Sequence, residues 1–350
     1  MPTVLVAGSN GLVGRHAAAA FAATPGWRVV TAGPTAEAGV VDEHVTVNLL
    51  DPAEALEAVA VRPDVTHLVF GAHVDAPSAA ARSEANVALL ANTLAGFRQS
   101  RSLLQHVTLY QGAKAYGAHL GPYKIPAKES DPRVPVPSYL DDQADLLIES
   151  AASDGFHWTV LRPDTVIGYA GHPDNLLMVL AAYASVCRAR GLPLRFPGNE
   201  AQYRCLAQVT DADLLGHASV WAAASEAAAD DVFNVTNGDV FRWCDVWPRV
   251  ADAFGIDVAP PAPFSLVEAM EGNADVWEWL VNQYDLVPTP WEAVADWAFG
   301  DRVFQAGYDQ LFSTVKVRQA GFAEALDSEQ RFIHWFSWLA GAKVIPPLVA

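Results

Sequence analysis

Three glycines and two hydrogen-bonding side chains carry most of the chemistry this sequence offers. Gly8, Gly11 and Gly14 stand three apart, directly after the aliphatic run Thr3-Val4-Leu5-Val6-Ala7 and just ahead of an alanine-rich stretch from Arg15 to Ala23. One glycine permits a tight turn after a strand, the next lets backbone approach a pyrophosphate, and the last lets the following helix pack close to the sheet. Free N–H groups and the positive dipole end of that helix then face the anion. In this context Gly8, Asn10, Gly11, Leu12, Val13 and Gly14 are expected to bind a nicotinamide dinucleotide. Tyr139 and Lys114 suit work on a carbonyl. A tyrosine hydroxyl, with an ordinary pKa near ~10, needs a cation nearby to act as proton donor or oxyanion partner around neutral pH.

The elements that must position these groups are legible as apolar runs. Strand-like segments recur at Trp27–Thr31, Val45–Val47, His67–Phe70, His106–Tyr110 and Trp158–Leu161, with helix-like segments such as Pro52–Val61 and Glu84–Arg98 between them. Strands alternating with helices imply a doubly wound parallel sheet with right-handed crossovers, the Rossmann arrangement. After Arg162-Pro163 longer helical stretches dominate: Leu176–Arg190, Asp211–Ala229, Trp243–Phe254 and Ala274–Tyr284. The expected organisation is therefore a dinucleotide-binding domain over 1–168 and a mainly helical substrate-binding lobe over 169–350, with ligand in the cleft between.

The end of the second strand reports on the adenosine ribose, where an acid favours NAD and an Arg favours the 2′-phosphate of NADP. Thr31-Ala32-Gly33-Pro34-Thr35 supplies neither, so NADPH and NADH both stay open. Asn48 and Leu49 follow the third strand and are placed to flank the adenine, while Asp51 could equally cap the helix that starts at Pro52. Tyr110 and Lys114 spell YxxxK, the signature of short-chain dehydrogenases, but Tyr110 ends a strand and Gly112 interrupts the segment between them, so the two cannot share a helix face. Tyr139 opens a helical stretch, Tyr139–Ser150, where those enzymes carry their tyrosine; the position four beyond is Gln143 rather than Lys. Lys114 is then the available cation. It would approach from the turn after the preceding strand, lower the tyrosine pKa and hold the ribose hydroxyls.

Composition narrows the partners. The 350 residues are 51% hydrophobic, with apolar residues spread along the chain and no run near the ~20 needed to span a bilayer. A formal charge of −18 would repel nucleic acid and anionic membranes. Cys187, Cys205 and Cys244 are far apart, His67 and His106 sit in apolar strands, and no metal-ligand spacing occurs. A cytoplasmic protein with reduced thiols and no metal is expected, with homodimer formation left open. Of the eleven tryptophans most lie late, and part of the Phe264–Trp297 group is a candidate lining for an apolar substrate pocket.

The run Phe233-Asn234-Val235-Thr236-Asn237-Gly238-Asp239-Val240-Phe241-Arg242-Trp243, with Leu194-Arg195-Phe196-Pro197-Gly198 and Trp297-Ala298-Phe299-Gly300-Asp301, resembles the progesterone 5β-reductase/iridoid synthase-like enzymes, atypical extended short-chain dehydrogenases. The similarity extends from the glycine turn to Lys343-Val344-Ile345-Pro346. It implies NADPH-dependent reduction of the C=C bond of enones, with a catalytic Lys in a TGxKHY segment and a Tyr in an NFYYxxED segment. The first appears as Gln111-Gly112-Ala113-Lys114-Ala115-Tyr116, with Ala115 in place of the His. The second is reduced to Pro137-Ser138-Tyr139-Leu140-Asp141-Asp142-Gln143, where a two-residue shift would put Asp141 in the tyrosine slot. The family's Arg after the second strand is missing. The expected function is reduction of an α,β-unsaturated, apolar carbonyl compound, with Tyr139 and Lys114 catalytic and also in contact with the cofactor. Carbonyl 1,2-reduction and a catalytically silent dinucleotide-binding regulator are the other readings.

Overall fold

The computed structural model describes residues 1–35, 41–100, 102–171, 173 and 175–349. Seven strands form one sheet: β1 (Thr3–Ala7), β2 (Arg28–Gly33), β3 (Glu43–Thr46), β4 (Val65–Phe70), β5 (His106–Tyr110), β6 (His157–Pro163) and β7 (Asp231–Val235). Every neighbouring pair is parallel, and the spatial order is β7-β6-β5-β4-β1-β2-β3. The Rossmann sheet expected from the alternating runs is thus present, and the order reverses between β1 and β4. That reversal is a topological switch point, outside whose strand ends ligands bind.

Helices α1 (Leu12–Ala23), α2 (Pro52–Ala60), α3 (Ala79–Ser100) and α4 (Tyr139–Asp154) cover the sheet. The central strands are buried on both faces, Val4, Val6, Val29, Val30, Leu68 and Val69 being fully inaccessible, as a covered parallel sheet requires. The two strand histidines belong to this core: His67 hydrogen-bonds Thr66 Oγ1 at 2.8 Å, and His106 Nε2 meets Thr159 Oγ1 at 2.9 Å.

The C-terminal half is built around α5 (Leu176–Arg190), buried on all sides from Leu176 to Cys187. That all-round apolarity is the mark of a helix enclosed by others. It packs against α7 (Trp243–Phe254), α8 (Ala274–Tyr284), α9 (Trp297–Phe304) and α10 (Ser328–Gly341). The sheet crosses the division expected at 168/169, because α6 (Ala212–Ala224) packs on α1 and leads into β7, which pairs with β6. The three cysteines are unpaired. Among the described residues no helix is long and apolar enough to cross a membrane.

Candidate active site

Two cavities meet along the carboxyl ends of the strands. The first, about 560 Å³, is lined by Gly8, Asn10, Gly11, Leu12, Val13, Asn48 and Leu49 together with Gly33, Pro34, Val47 and the Gly71–Val74 segment. Each glycine of the turn has its own physical task. Gly8 has φ +80°, and a Cβ there would fall 2.5 Å from the Ala72 backbone nitrogen. At Gly14 a Cβ would collide with the Gly8 carbonyl, so only glycine lets α1 lie this close. Gly11 is different, since a Cβ would approach nothing nearer than the Gly8 oxygen at 3.4 Å. Its bareness serves the cavity rather than the fold.

The trough fits a dinucleotide on its own evidence. No side chain caps α1 at Gly11, which leaves first-turn amides for a pyrophosphate, and the buried Asn10 Oδ1 has no partner. The amide nitrogen of Asn10 donates to the carbonyl and hydroxyl oxygens of Thr35 at 2.8 and 2.9 Å and so fixes the loop after β2. Asn48 Oδ1 accepts from the Leu50 amide, and Asp51 caps α2 through Ala53 and Glu54. Among the described residues no Lys or Arg lines this cavity. Arg28, at the opposite end of β2, is held by Asp64 at 2.5 Å and Glu43 at 2.8 Å.

The second cavity, about 370 Å³, shares Val13, Gly71, Ala72 and His73 with the first and contains both Lys114 and Tyr139. Two residues 25 apart in sequence reach one space because β5 ends at Tyr110, a turn of 3₁₀-helix carries Lys114, and α4 begins at Tyr139. The start of α4 is pinned from below: Gln111 Nε2 donates to the Leu140 carbonyl at 2.8 Å, and Arg162 Nε donates to Gln111 Oε1 at 2.7 Å. One turn on, the buried Gln143 donates to the Asn86 carbonyl at 2.6 Å, while the Asn86 side chain brackets the backbone of Val74. Where a lysine would complete YxxxK, the chain instead ties α4 to α3 and to the loop bearing His73.

Local electrostatics differ from the expectation in one respect. Burial raises the Tyr139 hydroxyl above its ordinary pKa, and the cation that opposes this is Arg82 of α3, with Asp75 acting the other way. Lys114 is lowered by burial, then by Arg82, with Asp75 raising it and Arg302 lowering it again. The tyrosine is therefore conditioned by an Arg82–Asp75 pair, Nε to Oδ1 3.3 Å, that motif spacing did not reveal. The ring of His73 lies 5.5 Å from that of Tyr139, tilted by 30°, and burial lowers its pKa.

Asp141 is not among the residues lining the cavity; its carboxylate pairs with Arg133 at 3.3 Å. Tyr110 and Lys114 both line this cavity but stand on separate elements, the end of β5 and the 3₁₀ turn, and the Tyr110 hydroxyl is 2.6 Å from Ser219 Oγ. From the aromatic group, no residue of Phe264–Trp297 lines this cavity, whereas Phe299, two residues beyond, does; Phe264 lines a separate cavity beside α5. His73, Arg82, Asp164 and Phe299 are the site-forming residues that spacing missed. Of these only Phe299 stands in a stretch that carries the family resemblance, and each comes from a different segment.

A model of the PRISE-like Rossmann-fold domain matches residues 47–346. Over 98% of the chain, the sequence is 29% identical to an (S)-8-oxocitronellyl enol synthase from Camptotheca acuminata, covering 93% of that protein. It is 28% identical, again over 98% of the chain and covering 92% of the relative, to a 3-oxo-Δ4,5-steroid 5-beta-reductase from Arabidopsis thaliana. Among solved structures, the UDP-glucose 4-epimerase of Thermotoga maritima superimposes with a TM-score of 0.69 over 97% of this chain and 99% of the other, at 15% identity. A UDP-glucose 4-epimerase of Thermus thermophilus, solved with NAD, gives 0.67 over 97% and 99%, at 19% identity. At such identities these two establish the fold. The glycine trough, the adjoining Lys114–Tyr139 cavity and the match over most of the length together show that this chain belongs to the PRISE-like Rossmann-fold family.

Proposed function

We infer that the protein is an NAD(P)H-dependent reductase of the activated C=C bond of α,β-unsaturated carbonyl compounds. The observation that carries this reading is the junction of a dinucleotide trough with a mostly apolar cavity holding a tyrosine and a lysine. The family supports it, since its named members act on a 3-oxo-Δ4,5-steroid and form an oxocitronellyl enol. When bound, the dinucleotide supplies hydride to the β-carbon. Tyr139 then donates its hydroxyl hydrogen bond to the carbonyl oxygen, where negative charge accumulates as the enolate forms. A donor aimed at developing charge is worth roughly 10²–10³ in kcat. Lys114, on the same cavity wall, holds the ribose, and Arg82 counters the effect of burial on the tyrosine. Phe70, Leu109, Leu140, Val166 and Phe299 exclude water and receive the apolar body of the substrate.

In this scheme residues 1–168 bind the cofactor and also form most of the substrate cavity, to which 169–350 add Phe299, while the α6–β7 unit returns to the sheet. A cytosolic location without a nucleic-acid partner is in keeping with the charge of −18. The test is product analysis with citral and a cyclic enone under NADPH and NADH. Saturated aldehyde and ketone are expected; allylic alcohol would replace this reading with 1,2-reduction, and tight cofactor binding without turnover would replace it with a regulatory one.

A further inference from the structure

A third cavity lies apart from the reductase site. It encloses about 480 Å³ beside the C-terminal half of α5 and shares no lining residue with the trough or the substrate cavity. Tyr183 and Val186 of α5, Leu192, Phe264 and Met270 give it an apolar wall, and Leu192 is 50% exposed. Cys187 adds to that wall as a neutral thiol, since burial pushes it up to about 11. An apolar hollow of this size suits the hydrocarbon body of a small molecule.

Two arginines in the same lining say what the rest of that molecule carries. Arg190, the last residue of α5, is exposed and donates through Nε to Asn273 Oδ1 at 2.7 Å; Arg195 donates through a terminal nitrogen to the Pro260 carbonyl at 2.5 Å. Both are anchored to fixed structure. Asn273 is buried and gives its amide nitrogen to the carbonyls of Ala269 and Met270 at 3.2 and 3.1 Å. The Arg195 carbonyl accepts from the Tyr183 hydroxyl at 2.9 Å, and Leu194–Arg195 pairs in parallel with Val258–Ala259. The remaining N–H groups of the two guanidiniums have no partner among the described residues. Glu271, the one acid among the lining residues, lies beyond ion-pair distance of either. Two positive charges thus stand against one negative in this lining, within a chain of formal charge −18. Guanidinium N–H groups match the two oxygens of a carboxylate, so a local excess of this kind is suited to an anionic headgroup.

We propose that this cavity is a second ligand site that binds a medium-chain carboxylate, its headgroup held by Arg190 and Arg195 and its chain laid against Tyr183, Leu192, Phe264 and Met270. The charge of such a ligand balances the lining, one negative charge against an excess of one positive. Neither half of the ligand is enough alone. An ion pair made at an exposed arginine is worth little, and the burial of a hydrocarbon chain supplies the driving force that the charge lacks. The site stands independently of the reductase reading, because none of its residues lines the trough or the substrate cavity.

The test is calorimetric titration of the full chain, loaded with NADP⁺, with three probes: octanoate, octanol as the chain without the charge, and acetate as the charge without the chain. Octanoate is expected to bind about tenfold or more tightly than either control, as hydrogen bonds to a charged group allow. R190Q and R195Q should each weaken octanoate by about tenfold and leave octanol binding, NADP⁺ affinity and the melting temperature as in the wild type. Arg190 is exposed, so R190Q disturbs the fold least and is decisive if R195Q lowers the melting temperature. Octanoate binding no tighter than octanol, or an octanoate affinity unchanged in R190Q, overturns the proposal. Loss of octanoate binding in K114A, with R190Q unaffected, also overturns it by moving the ligand to the substrate cavity.

Discussion

The two adjoining cavities are built in opposite ways. The trough is largely backbone: seven residues from Gly8 to Gly14 shape its phosphate end, and what they contribute is the absence of side chains and the amides of α1. The substrate cavity is made of side chains drawn from separate segments, His73, Lys114, Tyr139, Asp164 and Phe299. One contiguous stretch of chain suffices to hold a pyrophosphate, which every dinucleotide shares. Recognition of a particular substrate needs groups placed from several directions, and those are free to vary.

If this contrast is right, the largest effects come from single backbone positions in the trough. Gly11→Val should abolish dinucleotide binding with the fold retained, since the Cβ meets only the Gly8 oxygen at 3.4 Å. Gly14→Val should instead fail to fold stably, its Cβ being driven into the Gly8 carbonyl. Calorimetric cofactor binding together with far-UV circular dichroism distinguishes the two. A Gly11→Val protein with wild-type affinity would dissolve the comparison.

In the side-chain cavity the losses are smaller and more specific. Tyr139→Phe should lower kcat by about two orders of magnitude or more with cofactor affinity nearly unchanged. Lys114→Ala should weaken both. Asp141→Asn should be close to silent on kcat, because Asp141 pairs with Arg133 outside the cavity lining. Steady-state kinetics of the three variants side by side check this, and a full-rate Tyr139→Phe enzyme would end the tyrosine mechanism.

Cofactor choice tests the trough at its other end. With no lining cation and with Arg28 held at the far end of β2, the preference for NADPH over NADH should stay below about a hundredfold, a contact of roughly 1.5–3 kcal/mol to the 2′-phosphate being absent. Two dissociation constants decide it.

The smallest effect is on stability, and the two regions contribute with opposite sign. His67 and His106, in the sheet core, are lowered by burial from 6.5 to about 4 and about 3. The unfolded chain therefore binds protons first, and stability falls as pH drops below about 6.5. Asp164 is raised from 3.8 to about 7, so its contribution is present below 3.8 and lost as pH rises through 7. Melting curves should show Asp164→Asn gaining a few degrees at about pH 8 and losing that advantage toward about pH 4. A difference independent of pH would mean that Asp164 does not titrate in this window.

Local rules account for the part of the fold that was legible beforehand. The strand, glycine turn and helix over Thr3–Ala23, the strand His106–Tyr110, and the helices Leu176–Arg190, Trp243–Phe254 and Ala274–Tyr284 follow from periodicity and from Gly and Pro punctuation, which act over a few residues. The family resemblance rested on contiguous segments for the same reason. Membership in the sheet of β7, from a part of the chain assigned to the other lobe, was not legible, since strand pairing over 60 or more residues leaves no local mark.

The sequence by itself determined that this chain would build a Rossmann sheet with a dinucleotide trough, because those features depend on neighbours in the chain and on the backbone freedom of glycine. Only the tertiary structure decided that Gln143 joins helices instead of replacing a lysine, that Arg82 rather than Lys114 opposes the burial of Tyr139, that Asp141 faces Arg133, and that the Asp164 carboxyl is buried. These are consequences of burial and of charge at distances of a few ångströms, and residues that share such a neighbourhood are brought together by the packing of the sheet and its helices, not by their spacing along the chain.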